Sequence, residues 1–451
     1  MLWNARLFIA LLLTISSNIC LAKPEATSIF CEKYAGTDIC SSDKVSCNVC
    51  HAGPPSLNDF GSAVAQNIGG HLEANLISAL EAVEDIDSDG DGINNGEEIR
   101  ANAHPGDKSI QPSADINVAY DVVTAFKRMK AVFCGTSANY AELQSLSGAA
   151  DSAALLHQAL DVCLQSDYWV KEALHRIADK KILPNAALGF GGNVVIGDYR
   201  FDYRLFAYIM SGGRDARELL TADYHVDENY QKIEGRVSRE EGIAFGGERI
   251  VIAGGQPLTP ERRAGMLTTQ WFISNNTMFA ELPRNTASQA YRAYLGLDLA
   301  KGEGIMPVPG EPRDVDNKNI AQAECAVCHS TLDPLAYSFA SYRGITTNAI
   351  ELVFNPIGRY NEDQTPWGAD GVIFGQPVGD LLEWAQVAVE SDDFKKNLVH
   401  TIFEHTMNRE PMAHEKAEYD ALWQGLAGEN YSVDAMIHRL VDTKIFGGII
   451  Q

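Results

Sequence analysis

Two short motifs in the sequence each place two cysteines and a histidine where together they could hold one cofactor. The first motif is Cys47, Cys50 and His51, and the second is Cys325, Cys328 and His329. Two thiols three residues apart can form thioether bonds along one edge of a porphyrin, and the adjacent histidine can bind the iron. The sequence therefore predicts two covalently bound haem c groups, with His51 and His329 as axial iron ligands.

Two other uses of paired cysteines fit the sequence less well. A zinc site needs further cysteine or histidine ligands at zinc-ribbon spacing, and none follows either motif. A redox-active disulfide is typical of a thioredoxin-like βαβ unit, which the sequence around the motifs does not indicate. Haem attachment is therefore the prediction for both motifs.

The second axial ligand of each iron is left open by the sequence. For the first haem the candidate is His71, the nearest histidine downstream of the motif. For the second haem the candidates are His405 and Met407, near the end of a helix predicted over residues 392–408. Histidines can equally be surface or core residues. A methionine ligand raises the reduction potential relative to a second histidine, whereas an open position permits catalysis.

Residues 87–98 match the calcium-loop pattern D-x-D-x-D-G-x5-E. The predicted ligands are the carboxylates of Asp87, Asp89, Asp91 and Glu98 and the main-chain carbonyl of Ile93. The alternative is a solvated acidic turn, but six acidic residues lie between positions 85 and 98 and would repel one another without a cation. One bound Ca²⁺ with a structural role is the prediction, and the loop resembles those of dockerins and thrombospondins.

The first 22 residues read as a secretory signal peptide. Arg6 precedes a short apolar run over residues 7–15, and Cys20-Leu21-Ala22 fits a cleavage site. The run is shorter than the roughly 20 residues that span a bilayer, so we expect cleavage and no transmembrane segment in the mature chain. The expected location is the periplasm, the cell surface or the medium.

The remaining cysteines indicate possible disulfides, and the net charge indicates which kinds of partner are favoured. Pairing by proximity in the sequence favours disulfides Cys31–Cys40 and Cys134–Cys163, although four cysteines allow three pairings. The formal charge of −24 argues against nucleic acid and anionic lipid as partners. It favours a basic protein partner, or simply solubility.

The pattern of apolar residues predicts a mostly α architecture, with two small helical haem c modules flanking a helical middle region that contains a few short strands. The expected division is a signal peptide (1–22), an N-terminal haem module with the calcium loop (23–114), a middle domain (115–317) and a C-terminal haem module (318–451). Helices are predicted over residues 119–132, 153–163, 167–178, 217–220, 262–274, 378–389, 392–408, 414–426 and 433–443, and strands over 194–196 and 250–252.

The segment CAVCHSTLDPLAYSFASYRG, residues 325–344, resembles the haem motif of planctomycete-type cytochrome c domain proteins. Further matches to that family lie at residues 219–224, 263–268 and 408–410, so the resemblance covers roughly residues 200–451. Ala336 and Asn408 stand where the family usually has glycine. The N-terminal module resembles a separate bacterial pattern, in which LNDFG (57–61) follows CxxCH and precedes an acidic calcium loop. The resemblance implies an exported haem protein and supplies no substrate.

Electron transfer between redox partner proteins is the function that the sequence favours. The chain carries no GxSxG, HExxH or phosphate-loop motif that would indicate another chemistry. The alternative is a dihaem peroxidase or oxygenase, in which one haem relays electrons to another that has an open face. A binding or scaffold role for the middle region is a third possibility.

Overall fold

The computed structural model of the chain describes fourteen segments of it. They are residues 25–35, 37–40, 45–53, 56–69, 72–110, 118–183, 199–235, 258–276, 282–303, 305–306, 308–314, 319–343, 359–360 and 370–450. Helices dominate these segments, and their strands are two or three residues long. The mostly α prediction is confirmed. The strands predicted at 194–196 and 250–252 lie outside the described residues.

The α-helices differ widely in length, and several are joined by short 3₁₀ or π-helical turns. They are α1 (Glu25–Lys33), α2 (Asp59–Asn67), α3 (Leu72–Val83), α4 (Asn95–Arg100), α5 (Val122–Phe133), α6 (Tyr140–Gly148), α7 (Ser152–Leu164), α8 (Leu174–Ile182), α9 (Arg200–Ile209), α10 (Glu218–Thr221), α11 (Gln270–Asn276), α12 (Arg284–Ala290), α13 (Ala323–Leu332), α14 (Leu381–Glu390), α15 (Asp392–Met407), α16 (Lys416–Gly425), α17 (Val433–Val441) and α18 (Lys444–Gly447).

The described strands form two-stranded antiparallel pairs. The strands are β1 (His51–Gly53), β2 (Ser56–Leu57), β3 (Val118–Tyr120), β4 (His225–Val226), β5 (Lys232–Ile233), β6 (Tyr342–Arg343), β7 (Arg359–Tyr360), β8 (Gly371–Ile373), β9 (Gln376–Val378) and β10 (Gly448–Ile450). All pairs join neighbours in this order, except that β3 pairs with β10.

The chain divides into two compact units, residues 1–111 and 112–451. The sequence-based division also placed a boundary at residue 317, but one hydrophobic core in the second unit includes residues from both sides of it. The rings of Tyr291 and Trp384, for example, meet edge to face at 5.5 Å. The chain just before that boundary is tied to α13, because the Val308 amide donates to the Ser330 carbonyl at 3.3 Å.

The first unit is a small helical core closed by a disulfide. Helices α1 and α2 both pack on α3. The rings of Phe30 and Phe60 meet edge to face at 6.4 Å in the buried core between these helices. Cys31 and Cys40 are bonded, as their proximity in the sequence favoured. The calcium-loop sequence connects α3 to α4.

The second unit is held together by contacts between its first and last elements. Val118 in β3 pairs with Ile450 in β10. Helix α18 packs on α5, and the disulfide between Cys134 and Cys163 joins the end of α5 to α7. Because both ends of this stretch contribute to one core, the unit spans the middle domain and the C-terminal module of the sequence-based division.

The single helix predicted over residues 262–274 is wrong. The structure has 3₁₀ turns at Pro260–Arg262 and Gly265–Thr268, and α11 begins only at Gln270. Gly265 has φ +50°, and a Cβ there would lie 2.3 Å from the carbonyl oxygen of Leu219. This close approach to α10 requires a glycine and interrupts the helix, although the surrounding apolar spacing is helical.

Candidate haem and calcium sites

The first CxxCH motif lies on a 3₁₀ turn, Cys47–Val49, that leads into β1. Ser46 caps the turn by accepting a hydrogen bond from the Asn48 amide at 3.4 Å. Both cysteines are half-buried and neither forms a disulfide. The Nδ1 atom of His51 is buried and has no hydrogen-bond partner among the described residues. The turn therefore presents two cysteines outside disulfides next to an imidazole whose Nδ1 is not engaged by the described residues, which is compatible with covalent haem attachment.

The side chain of Asn58 fixes this turn on α2. Its amide donates to the carbonyl oxygens of Asn48 and Val49 at 3.0 and 2.9 Å. Its carbonyl oxygen accepts from the Gly61 amide at 2.8 Å and so caps α2. The main-chain amide of Asn58 donates to the carbonyl oxygen of Cys50 at 3.0 Å. Asn58, which belongs to the LNDFG segment, thus connects the turn that carries Cys47 and Cys50 to the start of α2.

A second loop supports the turn from the other end of the unit. The Nε2 atom of His104 lies 3.1 Å from the Asn48 carbonyl oxygen. A Cβ at Gly106 would lie 2.7 Å from the Asn58 side chain. Sequence reasoning missed His104, because no local pattern shows that a residue 56 positions away reaches the motif.

Burial raises the pKa of the Cys50 thiol to about 12, and the neighbouring Cys47 adds to this. A thiol with a raised pKa is rarely deprotonated at neutral pH. The deprotonated form, the thiolate, is the one that binds zinc or attacks a disulfide. The surroundings of Cys50 therefore favour an uncharged sulfur over a thiolate. A thioether bond has no proton to lose and fits this environment.

The carboxylates of Asp87, Asp89 and Asp91 converge, with one oxygen of each within 4.8 Å of the others. Gly90 and Gly92 adopt φ values of +78° and +95°, which bend the chain around these groups. The amides of Gly90 and Gly92 each donate to Asp87 at 2.8 Å. The loop thus has the tight turns that a calcium-binding loop needs.

Glu98 gives the loop a feature that a solvated acidic turn lacks. Its side chain is fully buried, and neither carboxylate oxygen has a hydrogen-bond partner among the described residues. Burial, together with the charges of Asp89, Asp91 and Asp87, raises the pKa of Glu98 to about 8. A buried carboxylate facing other carboxylates is satisfied by a hard cation, so the donor set fits Ca²⁺.

The second CxxCH motif lies on α13, where Cys325 and Cys328 are exposed and not in a disulfide. The Nδ1 atom of His329 is 3.1 Å from both carboxylate oxygens of Asp333, which is fully buried. The guanidinium of Arg284 donates to Asp333 at 2.8 Å. Since Nδ1 is engaged by Asp333, the free Nε2 is the nitrogen that can bind iron, and these residues fit a haem c.

The candidates for the second axial ligands have the following positions. His71 lies outside the described residues. His405 packs against the Trp169 ring at a centroid distance of 6.2 Å, and burial lowers its pKa. Met407 lies 4.0 Å from a guanidinium nitrogen of Arg128. The structure gives neither residue a contact with His329, so the ligand assignments stay predictions.

Comparison with known proteins adds no relative. No protein-family model matches the chain, no curated protein matches it, and no solved structure matches it. Among the helices that the structure describes, none combines the length and apolar character that crossing a bilayer needs.

Proposed function

We propose that the chain is an exported dihaem c-type cytochrome that transfers electrons between redox partner proteins and carries a structural Ca²⁺ in its first unit. The observation that carries the proposal is the state of the cysteines. Four of them form two disulfides, whereas the four CxxCH cysteines are in no disulfide, and each CxxC pair is followed directly by a histidine. In an oxidising compartment, cysteines this near in the sequence stay out of disulfides when they serve another covalent bond.

Residues around the second motif support the same assignment. Asp333 holds Nδ1 of His329 and so sets the ring's tautomer and orientation, which is the usual arrangement for a metal-binding histidine. A bound haem would supply one-electron exchange between ferric and ferrous iron. Because Cys325 and Cys328 are exposed, the attached porphyrin edge would lie near the surface, where a partner protein can approach.

The partner that the charge favours is basic. The chain carries 60 acidic and 36 basic residues, and the resulting negative field speeds encounters with positively charged proteins. Screening at higher salt weakens this attraction, so electron-transfer rates with a basic partner should fall as ionic strength rises.

A dihaem peroxidase or oxygenase is the second candidate function. The hydrogen bond from His329 to a buried carboxylate favours it, because such a bond makes the imidazole a stronger donor and stabilises oxidised iron. An enzyme of this kind needs one haem iron with an open coordination position, whereas in an electron carrier both haem irons have six ligands.

Two measurements on protein from a host that matures c-type cytochromes test the proposal. Mass spectrometry should show two added haem masses, and the paired substitutions Cys47→Ala/Cys50→Ala and Cys325→Ala/Cys328→Ala should each remove one. Absorption and EPR spectra should show two six-coordinate low-spin haems that dithionite reduces reversibly. The bare polypeptide mass would overturn the haem assignment. A high-spin haem that turns over peroxide would replace the carrier function with the enzymatic one.

A further inference from the structure

The two predicted axial histidines differ in what holds their Nδ1 atoms. Nδ1 of His329 lies 3.1 Å from each carboxylate oxygen of Asp333. Nδ1 of His51 is buried and has no partner among the described residues. The motifs have the same sequence pattern, so this difference comes from their surroundings.

Asp333 occupies its position through its place on the helix and its partner. It follows His329 by four residues at the end of α13, so both side chains lie on one face of the helix. Asp333 is fully buried, and Arg284 at the start of α12 forms an ion pair with both of its oxygens. The pair keeps a carboxylate in the interior beside the histidine.

The hydrogen bond between His329 and Asp333 has one direction when Nε2 binds iron. Nδ1 then carries the ring proton and donates it to the carboxylate. Arg284 also lies close, with a guanidinium nitrogen 3.3 Å from Nδ1. Both of these nitrogens carry protons, so that approach is not a hydrogen bond in the haem-bound protein, and Arg284 acts through Asp333.

We propose that Asp333 is a positioning residue that lowers the reduction potential of the second haem, and that Arg284 limits this effect. The inference rests on the proposed function. A carboxylate that accepts the Nδ1 hydrogen bond increases electron donation from Nε2 to the iron, and this favours the ferric form. The guanidinium withdraws charge from the carboxylate and so favours the ferrous form. One electron enters the iron on reduction, and the Nδ1 proton stays shared between His329 and Asp333.

Substitutions of the two residues should therefore move the potential in opposite directions. In a spectroelectrochemical titration of the full holoprotein, Asp333→Asn should favour ferrous iron at the second haem about tenfold or more, which is a rise of about 59 mV for one electron. Arg284→Gln should lower the same potential. The Cys47→Ala/Cys50→Ala background, which keeps only the second haem, assigns the titration step. Glu324→Gln is the matched control, because it neutralises an exposed carboxylate on the same helix.

The outcomes separate this inference from the function on which it rests. Opposite shifts at the second haem, with the first haem and the Glu324→Gln variant unchanged, support it. Equal potentials in wild type and Asp333→Asn, with two haems bound, overturn it and leave the cytochrome assignment intact. If Asp333→Asn does not fold, the two Arg284 variants decide. The inference is overturned if Arg284→Gln leaves the reduction potential of the second haem unchanged or raises it. If Arg284→Gln lowers this potential, Arg284→Lys should restore most of it. Wild-type protein without haem overturns the proposed function.

Discussion

A Cβ at Gly61 would lie 1.9 Å from the carbonyl oxygen of Cys50. The first turn of α2 therefore rests directly on the main chain of the first CxxCH motif, with no side chain between them. Asn58 completes the contact, since its main-chain amide donates to the same carbonyl oxygen at 3.0 Å. The position of the first haem motif depends on this close approach of two backbones.

The first prediction is that Gly61→Ala disrupts the first of the two proposed haem sites. The added methyl group overlaps main-chain atoms that cannot rotate away, so the motif or α2 must shift. Overpacking of this kind costs about 1–3 kcal/mol of stability, and more where backbone must move. Urea unfolding followed by haem absorbance measures the change.

The control for this substitution is Gly148→Ala in the second unit. Gly148 is the last residue of α6, and nothing lies within 4 Å of a Cβ built there. Alanine at this position should leave the free energy of unfolding unchanged or raise it by up to about 1 kcal/mol. Equal effects of the two substitutions would contradict the backbone contact at Gly61.

The two CxxCH motifs and the acidic loop over residues 87–98 can be read from the sequence because each is a local pattern with a fixed spacing. The residues that hold them cannot. His104 reaches Asn48 from 56 positions away, and Arg284 reaches Asp333 from 49 positions away. Contacts at such separations depend on how the helices pack, and a single sequence carries no local signal for them.

The second prediction concerns Ca²⁺ binding through Glu98. Titration calorimetry of the calcium-free protein should show one site that Glu98→Gln weakens at least tenfold, because the buried carboxylate that we propose as a bidentate ligand loses its charge. Calcium should raise the melting temperature of the first unit in wild type and much less in the variant. The matched control is Glu97→Gln, which changes the exposed neighbouring carboxylate and should bind calcium like wild type. Equal affinities of the two variants would remove Glu98 from the ligand set.

The third prediction is a pH dependence that comes from His225. Burial lowers the pKa of His225 to about 3, with Arg263 and Arg204 adding to the effect. Below pH 6.5 the unfolded chain takes up a proton at this histidine that the folded protein does not. Stability should therefore fall as the pH drops from about 6.5 towards 3, by up to about 1.4 kcal/mol per pH unit from this group.

His225→Leu tests this contribution. Neither ring nitrogen of His225 has a hydrogen-bond partner among the described residues, so an apolar side chain of similar size should be tolerated. Urea unfolding at pH 7 and pH 5 should show that the variant gains stability relative to wild type as the pH falls. His414→Leu, at an exposed position, is the control. Parallel pH profiles for wild type and His225→Leu would contradict the prediction.

Two helices of the second unit show which helix boundaries the sequence pattern predicts correctly and which it does not. The prediction over residues 392–408 agrees with α15, because Ser391 caps its start and Asn408 ends it in the left-handed conformation with φ +52°. The prediction over residues 378–389 begins too early, because Gln376–Val378 form β9 and Asp380 caps α14. Val378, which precedes the cap, lies in a strand. The spacing of apolar residues alone does not distinguish a short strand from the first turn of a helix.

The last prediction concerns two histidines that join an early and a late helix of the second unit, α7 and α17. The Nδ1 atoms of His157 on α7 and His438 on α17 are 2.7 Å apart. Their Nε2 atoms lie 3.0 Å from Asp442 and 2.9 Å from Asp161, respectively, so each histidine contacts the aspartate four residues beyond the other. This crossed arrangement connects α7 to α17 through three polar contacts, and all three are hydrogen bonds when the two rings together carry three protons.

Because the histidines share one hydrogen bond, their substitutions should not be additive. A double-mutant cycle with His157→Ala and His438→Ala should give a coupling energy of about 1 kcal/mol in urea unfolding at pH 7. The control cycle pairs His157→Ala with His400→Ala, since His400 contacts Glu410 instead. That pair should be additive within about 0.5 kcal/mol. Additivity in both cycles would mean that the contact between α7 and α17 stabilises the unit through its apolar residues alone.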